Sequence, residues 1–156
     1  MTICTHRHKN YFGEIEKGRV KLSKIGKTAE RCWIEIPQHF PHVYLDEFVM
    51  MPNHIHSILI INNVGNKDFC SLQTQNITWQ KQWARSLSSV VRGVKIGVTK
   101  WCKDNKYEDF HWQKSFYDKI IRDEKSLRLI REYIQNNPLR WDLEKNDIEN
   151  LDEINF

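Results

Sequence analysis

Two histidines separated by one residue, His54-Ile55-His56, follow a Met51-Pro52-Asn53 link and open a β-branched stretch that ends at Ile61. Side chains alternate along a strand, so both imidazoles leave the same face and can share one cation. The spacing alone is a weak signal, because His6-Arg7-His8 repeats it at the polar start of the chain, where a solvated pair is the ordinary reading. What sets His54 and His56 apart is their place directly after the turn, with Ile58 and Ile60 expected to carry the same face into a core. Ordinary half-buried histidines remain the competing reading. Tyr133 and Asn137 stand four apart on a second segment, so on a helix they share a face. A phenol with a pKa near 10 is only about one part in a thousand phenolate at pH 7, so a tyrosine nucleophile benefits from a nearby cation. Bound Mg2+ or Mn2+ would also withdraw charge from a phosphodiester and orient it for in-line attack. The bland alternatives are a packed tyrosine and an asparagine that caps a helix before Pro138.

Among the other tyrosines, Tyr11, Tyr44, Tyr107 and Tyr117, the nearest rival is Tyr117, which stands beside Asp118 but lacks a helical partner. No Gly-rich loop ending in Lys-Ser or Lys-Thr is present, so nucleotide hydrolysis is a poor candidate for an energy source. A phosphotyrosine needs none: it conserves the phosphodiester free energy, and a returning 3′-hydroxyl can reseal the strand.

The elements that must position these residues follow from periodicity and turn chemistry. Thr2 to Thr5 reads as a short strand, and a polar loop with turn residues near Gly13 and Gly18 follows it. Leu22, Ile25, Ala29, Cys32, Trp33 and Ile36 recur at spacings of three and four, predicting a helix over 22–36 that ends at Pro37. Val43 to Met50 and His54 to Ile61 read as the two strands of a hairpin. The stretch from Gly65 to Asn76 is polar and aperiodic, so it reads as a loop. A long helix is predicted from Thr78 to Lys103, with Trp83, Leu87, Val90, Val94, Val98 and Trp101 as its apolar stripe. Gly93 and Gly97 sit at the edge of that stripe, where close packing would explain them. Ser115 to Ile121 is expected to be a further strand, and Asp123 to N-cap a last helix with core positions Leu127, Ile130 and Ile134. Pro138 is expected to close that helix. The order β, α, β, β, α, β, α predicts an α+β sandwich in which helices cover a small, mostly antiparallel sheet.

A chain of 156 residues with 40% hydrophobic content suits one domain with a continuous core. We find no repeat or linker that divides it. The net charge of +4 is modest, but the last fifteen residues, Asp142 to Phe156, form an acidic tail with a single lysine, which leaves the body more basic than the total. On the long helix Lys81, Arg85, Arg92, Lys95 and Lys103 form a stripe opposite the apolar one. This stripe is the candidate phosphate track, a solvated helix face being equally ordinary. Trp33, Trp83 and Trp101 fall on apolar stripes, which leaves Trp79, Trp112 and Trp141 as the expected exposed ones, available with Tyr107 to stack on unpaired bases. Cys4, Cys32, Cys70 and Cys102 stand too far apart for a Cys-x-x-Cys motif and read as reduced thiols. No apolar run approaches the roughly 18 residues of a membrane span, and the start lacks a signal-peptide stretch, so a cytoplasmic protein is expected.

Val49-Met50-Met51-Pro52-Asn53-His54-Ile55-His56 resembles the HUH signature of the single-tyrosine transposases of small bacterial insertion sequences. Phe110-His111-Trp112-Gln113, Tyr117-Asp118-Lys119-Ile120-Ile121-Arg122 and the run from Arg131 through Tyr133 and Asn137-Pro138 to Arg140 look like the REP-associated tyrosine transposases in particular. The resemblance covers most of residues 2 to 141. It implies that His54 and His56 bind a divalent metal, that Asn137 occupies the third-ligand position, and that Tyr133 attacks DNA to give a 5′-phosphotyrosine. It further implies a ferredoxin-like or RRM-like sheet and binding of single-stranded DNA folded as hairpins, by a monomer or a homodimer. Members of that group carry residues ahead of the first strand, whereas Met1 stands almost inside it, so upstream DNA contacts are expected to be missing. Two other functions fit the same residues: a cleavage-silent DNA hairpin-binding protein, and a metal phosphoesterase in which the histidines activate water and Tyr133 packs.

Overall fold

The computed structural model describes residues 1–62 and 86–153, with side chains through Leu143. In chain order the elements are β1 (Thr2–Cys4), β2 (Gly13–Glu16), β3 (Arg19–Leu22), α1 (Lys24–Ile34), α2 (Ile36–His39), β4 (Val43–Met50), β5 (His54–Ile61), α3 (Leu87–Asp104) and α4 (Glu124–Glu153). The hairpin of β4 and β5 has the bounds that its β-branched content and the Pro52-Asn53 turn predict. Its register runs from Val43 opposite Ile61 to Met50 opposite Ile55. The first strand adds to the other side of β5, with Cys4 opposite His54 and Thr2 opposite His56. The fold is α+β, a small antiparallel sheet in the order β1-β5-β4 with helices packed on it.

Strand alternation divides the work of β5. Ile55 turns to one face, where with Ile3, Val43 and Met50 it meets Ile25, Ala29 and Trp33 of α1 and Val90, Val94 and Val98 of α3 in the main core. His54 and His56 turn to the other face, which α4 covers. Along that second face Ile58 is buried, but Ile60 is 47% exposed, so the expected continuation of this face into a core stops at Ile58. The helices α1 and α3 approach closely. An added Cβ on Gly97 would lie 3.3 Å from Cys32 Sγ, and one on Gly93 would lie 3.3 Å from the Phe40 ring.

Several expectations are corrected. The loop expected around Gly13 and Gly18 is the hairpin of β2 and β3, turned by Lys17 and Gly18 at φ 53° and 70°. Paired positive φ values match the twist of antiparallel strands. Leu22 ends β3 rather than starting a helix. Ser23 caps α1 instead, its hydroxyl accepting from Gly26 N at 3.0 Å. Pro37 does not stop the chain from being helical; it sits in the first turn of α2, where its missing N–H costs nothing. The strand expected over Ser115 to Ile121 reduces to one isolated bridge at the free edge of β1, Thr2 with Tyr117; a second, Thr5 with Trp112, lies ahead of that segment. Tyr117 and Ile120 are 64% and 74% exposed, so this segment has no buried face to hold a longer ladder.

Asp123 caps α4 as expected, its Oδ1 accepting from Ser126 N at 2.8 Å. The helix then runs through Pro138 rather than ending there. A proline inside a helix removes one backbone hydrogen bond and costs about 3 kcal/mol, so contacts elsewhere must hold the second half in line. Gly18 N donates to Asp142 Oδ2 at 2.9 Å, and the Leu139 side chain lies against Gly18. The start of the acidic tail thus anchors α4 to the β2–β3 turn. The predicted start of the long helix at Thr78, the loop from Gly65 to Asn76, and Cys70, Trp79, Lys81, Trp83 and Arg85 lie outside the described residues; α3 itself starts at Leu87, capped by Ser86.

Candidate active site

His54 and His56 stand with ring centroids 4.4 Å apart at 75°. Each has its Nδ1 engaged. Asn53 Nδ2 donates to His8 O at 3.0 Å, which turns the amide oxygen Oδ1 toward His54, 2.6 Å from Nδ1. An amide oxygen only accepts, so His54 carries its proton on Nδ1 and leaves Nε2 with a free lone pair. His56 Nδ1 shares a 2.8 Å hydrogen bond with Thr2 Oγ1, which leaves its Nε2 free of that bond as well. Outer partners of this kind orient imidazoles that bind metals.

Burial pushes the His54 pKa down from 6.5 to about 3, with the positive fields of His56 and His8 adding to it. Burial likewise lowers His56 to about 4, helped by the N-terminal ammonium. Both rings are therefore neutral at pH 7, the form that ligates. Because each folded value lies below the ordinary 6.5, the unfolded chain takes up protons first as the solution is acidified. Stability from these two groups is intact above pH 6.5 and is lost as pH falls from there to about 4 for His56 and about 3 for His54. The expected outcome is a melting temperature that declines through this window in the metal-free protein. Divalent-cation affinity, measured by calorimetry, should stay nearly level from pH 8 down to about 5.5; a steep loss centred at 6.5 would mean that the rings are not desolvated.

Tyr133 projects from α4 onto this pair. Its ring lies 5.4 Å from that of His56 at 69°, and the residue is 43% exposed, so a substrate can reach it. Asn137, one turn later, is 7% exposed. Two residues that sequence reasoning did not assign to this site complete the cluster: the Arg140 guanidinium lies over the Tyr133 ring at 5.7 Å, and Trp141 stands 5.9 Å from His54. Arg140 lies seven positions after Tyr133, two helical turns on the same face, a signal that was present in the sequence. The rival Tyr117 pairs with Thr2 beyond the outer edge of β1.

The donor chemistry suits a divalent cation in part. Two neutral imidazoles offer lone pairs, and among the described residues no third His, Cys, Asp or Glu joins them. A further protein ligand has to be of another type, and the buried amide of Asn137 is the candidate.

The basic stripe is placed elsewhere. Arg92 and Lys103 line a groove of about 550 Å3 with Lys100, Lys114 and Phe116, on the α3 side of the sheet, away from the histidine face. The Lys95 ammonium donates to the carbonyls of Gln113, Lys114 and Ser115 at 2.6, 3.3 and 3.4 Å, and burial lowers its pKa. It ties α3 to the edge segment. Trp112, expected to be exposed, is half-buried against Phe12 and Phe110 at 5.4 and 5.3 Å. Tyr107 stacks on Trp101 at 5.6 Å. His6 and His8 are exposed, as expected. Among the described residues no helix is long and apolar enough to cross a membrane.

The fold, a small antiparallel sheet with helices packed on it, has a solved counterpart. The structure of a REP-associated tyrosine transposase bound to a REP hairpin superposes on 89% of this chain with a TM-score of 0.59 and 21% identity, a likeness of fold. This chain spans 64% of that protein's length. No family model matches the chain. An uncharacterized protein of Haemophilus influenzae is 42% identical over 144 residues, covering 91% of this chain and 80% of that protein, and the chain belongs to the same family as this relative.

Proposed function

We propose that the protein is a metal-dependent transposase that cleaves and rejoins single-stranded DNA at hairpin ends in the cytoplasm, through a 5′-phosphotyrosine on Tyr133. The observation that carries this reading is the meeting of the two neutral imidazoles with the Tyr133 ring, 5.4 Å from His56, although the residues lie on distant segments. The REP hairpin bound by the structural relative supports hairpin DNA as the partner.

In this reading His54, His56 and the Asn137 amide hold the cation. A set with two nitrogen donors suits Mn2+ better than Mg2+, which prefers oxygen and water. The bound ion supplies charge withdrawal from the scissile phosphate. The chain's own residues do the rest. The Tyr133 oxygen attacks phosphorus, a Tyr–O–P bond forms and the P–O3′ bond breaks. The phenol gives up its proton, and the departing 3′-oxygen takes one up. Arg140, over the Tyr133 ring, offers charged hydrogen bonds to the nonbridging phosphate oxygens. Reversal by a 3′-hydroxyl rejoins the strand.

The test is covalent trapping. A labelled single-stranded oligonucleotide with a hairpin, incubated with the protein and Mn2+ or Mg2+, is expected to yield a denaturation-resistant adduct, with the nucleotide mapped to Tyr133. Salt-dependent binding with no adduct under any metal would instead identify a cleavage-silent binder. Multiple turnovers that leave no protein-linked DNA would identify a phosphoesterase using activated water.

A further inference from the structure

The chain leaves β1 through a turn that the active-site reading does not use. Arg7 and His8 are consecutive non-glycine residues in the left-handed region, at φ 53° and 52°. Such residues are strained, and they persist where the surroundings over-determine them. Here the surroundings do. Thr5 is fully buried, and its hydroxyl lies 2.7 Å from Lys9 O and 3.0 Å from Asn53 O. Asn53 Nδ2 donates to His8 O at 3.0 Å, His8 N donates to Thr5 O at 3.2 Å, and Lys9 N to His6 O at 3.3 Å.

The result is an exposed display of His6, Arg7, His8 and Lys9. Among the described residues neither Arg7 nor Lys9 has a carboxylate partner; Lys9 Nζ lies only over the Tyr11 ring, at 5.9 Å. The same Asn53 amide that holds His8 O orients the His54 ring. The turn is thus coupled by one side chain to the histidine pair. A strained turn that presents two cations without carboxylate partners, Arg7 and Lys9, beside a phosphoryl-transfer site fits a run of phosphates.

We propose that the His6–Lys9 turn is a phosphate clamp for the unpaired DNA strand that flanks the cleavage position, with Arg7 and Lys9 as its cationic contacts. The proposal rests on the strand-transfer reading for its partner, but binding can be read separately from cleavage. It differs from the α3 groove in position, since the turn follows directly from the strand that pairs with His54 and His56.

The experiment compares two DNA probes, a hairpin with a single-stranded flank and the same hairpin made blunt, with Kd measured over a series of salt concentrations. In Arg7→Asn/Lys9→Gln the asparagine tolerates the left-handed backbone. This variant is expected to bind the flanked probe about 5- to 30-fold more weakly, with the slope of log K against log salt reduced by roughly 1.4, about 0.7 per lost single-strand phosphate contact. Blunt-hairpin binding should change less than about two-fold in comparison, because the lost contacts are to the flank. Lys9→Glu, which leaves the two strained residues in place, should also weaken flanked binding, and Arg7→Lys/Lys9→Arg should retain wild-type affinity. Equal weakening on both probes, or wild-type affinity in the neutral and Lys9→Glu variants, overturns the clamp. Flank-dependent binding by the wild type with no adduct would sink the strand-transfer reading while the clamp stands. A wild-type adduct with unchanged flanked binding in the variants would sink the clamp alone.

Discussion

Tyr133→Phe is expected to leave DNA bound and uncut. Adduct formation should fall by on the order of 1,000-fold or more, because the substitution removes the nucleophilic atom itself. Binding of the flanked hairpin should stay within about two-fold, since the ring that packs beside His56 and under Arg140 is retained. Among the described residues the Tyr133 hydroxyl makes no hydrogen bond, so its loss orphans no partner and the melting temperature should hardly move. The separation of these three readouts is what gives the variant its force. A packing tyrosine that happened to lie near the histidines would be replaced by phenylalanine without consequence for an adduct formed elsewhere. Persistence of the adduct in Tyr133→Phe would transfer the nucleophile to another side chain, with exposed Tyr117 first in line.

Residues of opposite fate on β5 explain why the sheet can serve both as core and as the floor of the candidate site. Ile55 buries its side chain among α1 and α3, while its neighbours on either side present nitrogen to α4. A one-residue slip in register would exchange these faces, placing imidazoles in the core and isoleucine in the site. The three pairings of β1 with β5, anchored by the Thr2 hydroxyl on His56, oppose that slip.

Local pattern was sufficient where one face of an element decides its structure. The β4–β5 hairpin and the stripe of Val90, Val94 and Val98 were legible because alternation and 3.6-residue periodicity are properties of the element itself. It failed where a distant partner decides. Pro138 reads as a stop until Asp142 and Leu139 are seen to hold the next turns against Gly18. Ser115 to Ile121 has a strand composition, yet nothing covers Tyr117 or Ile120. The hairpin at Lys17-Gly18 carries a local signal of its own, since Glu14, Glu16, Arg19 and Lys21 alternate with Ile15 and Val20. For the site, the spacing of His54 and His56 indicates a shared face, whereas their support by Thr2 and Asn53 depends on strand pairing and on a turn that no spacing encodes. Arg92, Lys95 and Lys103 lie on α3, and only the sheet tells which side of the molecule they occupy.

The position of Tyr133 depends on a second feature that sequence pattern hides, and it supplies the other large expected effect. The pairing of β4 with β5 shifts register between Leu45 and Phe48, and Asp46 and Glu47 lie at that bulge. From there Asp46 accepts two hydrogen bonds from Arg131, at 2.9 Å from Nε and 2.9 Å from Nη2. Glu47 accepts from Gln135 Nε2 at 3.0 Å. Arg131 and Gln135 stand two residues before and two after Tyr133, so the bulge grips α4 on both sides of it. A bidentate pair fixes orientation as well as distance, which a single contact does not. Asp46→Ala is therefore expected to slow adduct formation at saturating DNA by about 10- to 100-fold, since a displacement near 1 Å is enough to cost that much when reacting atoms must align. Half-saturation by DNA should change little, because neither residue faces the proposed clamp. Asp46→Asn retains an acceptor oxygen and should fall between. General loss of stability would predict recovery on cooling, whereas misplacement of Tyr133 persists in a fully folded sample at 10 °C. Wild-type adduct rates in Asp46→Ala would show that α4 is seated by its remaining contacts, Ile134 in the interior and Asp142 at the β2–β3 turn, and that the grip at the bulge is incidental.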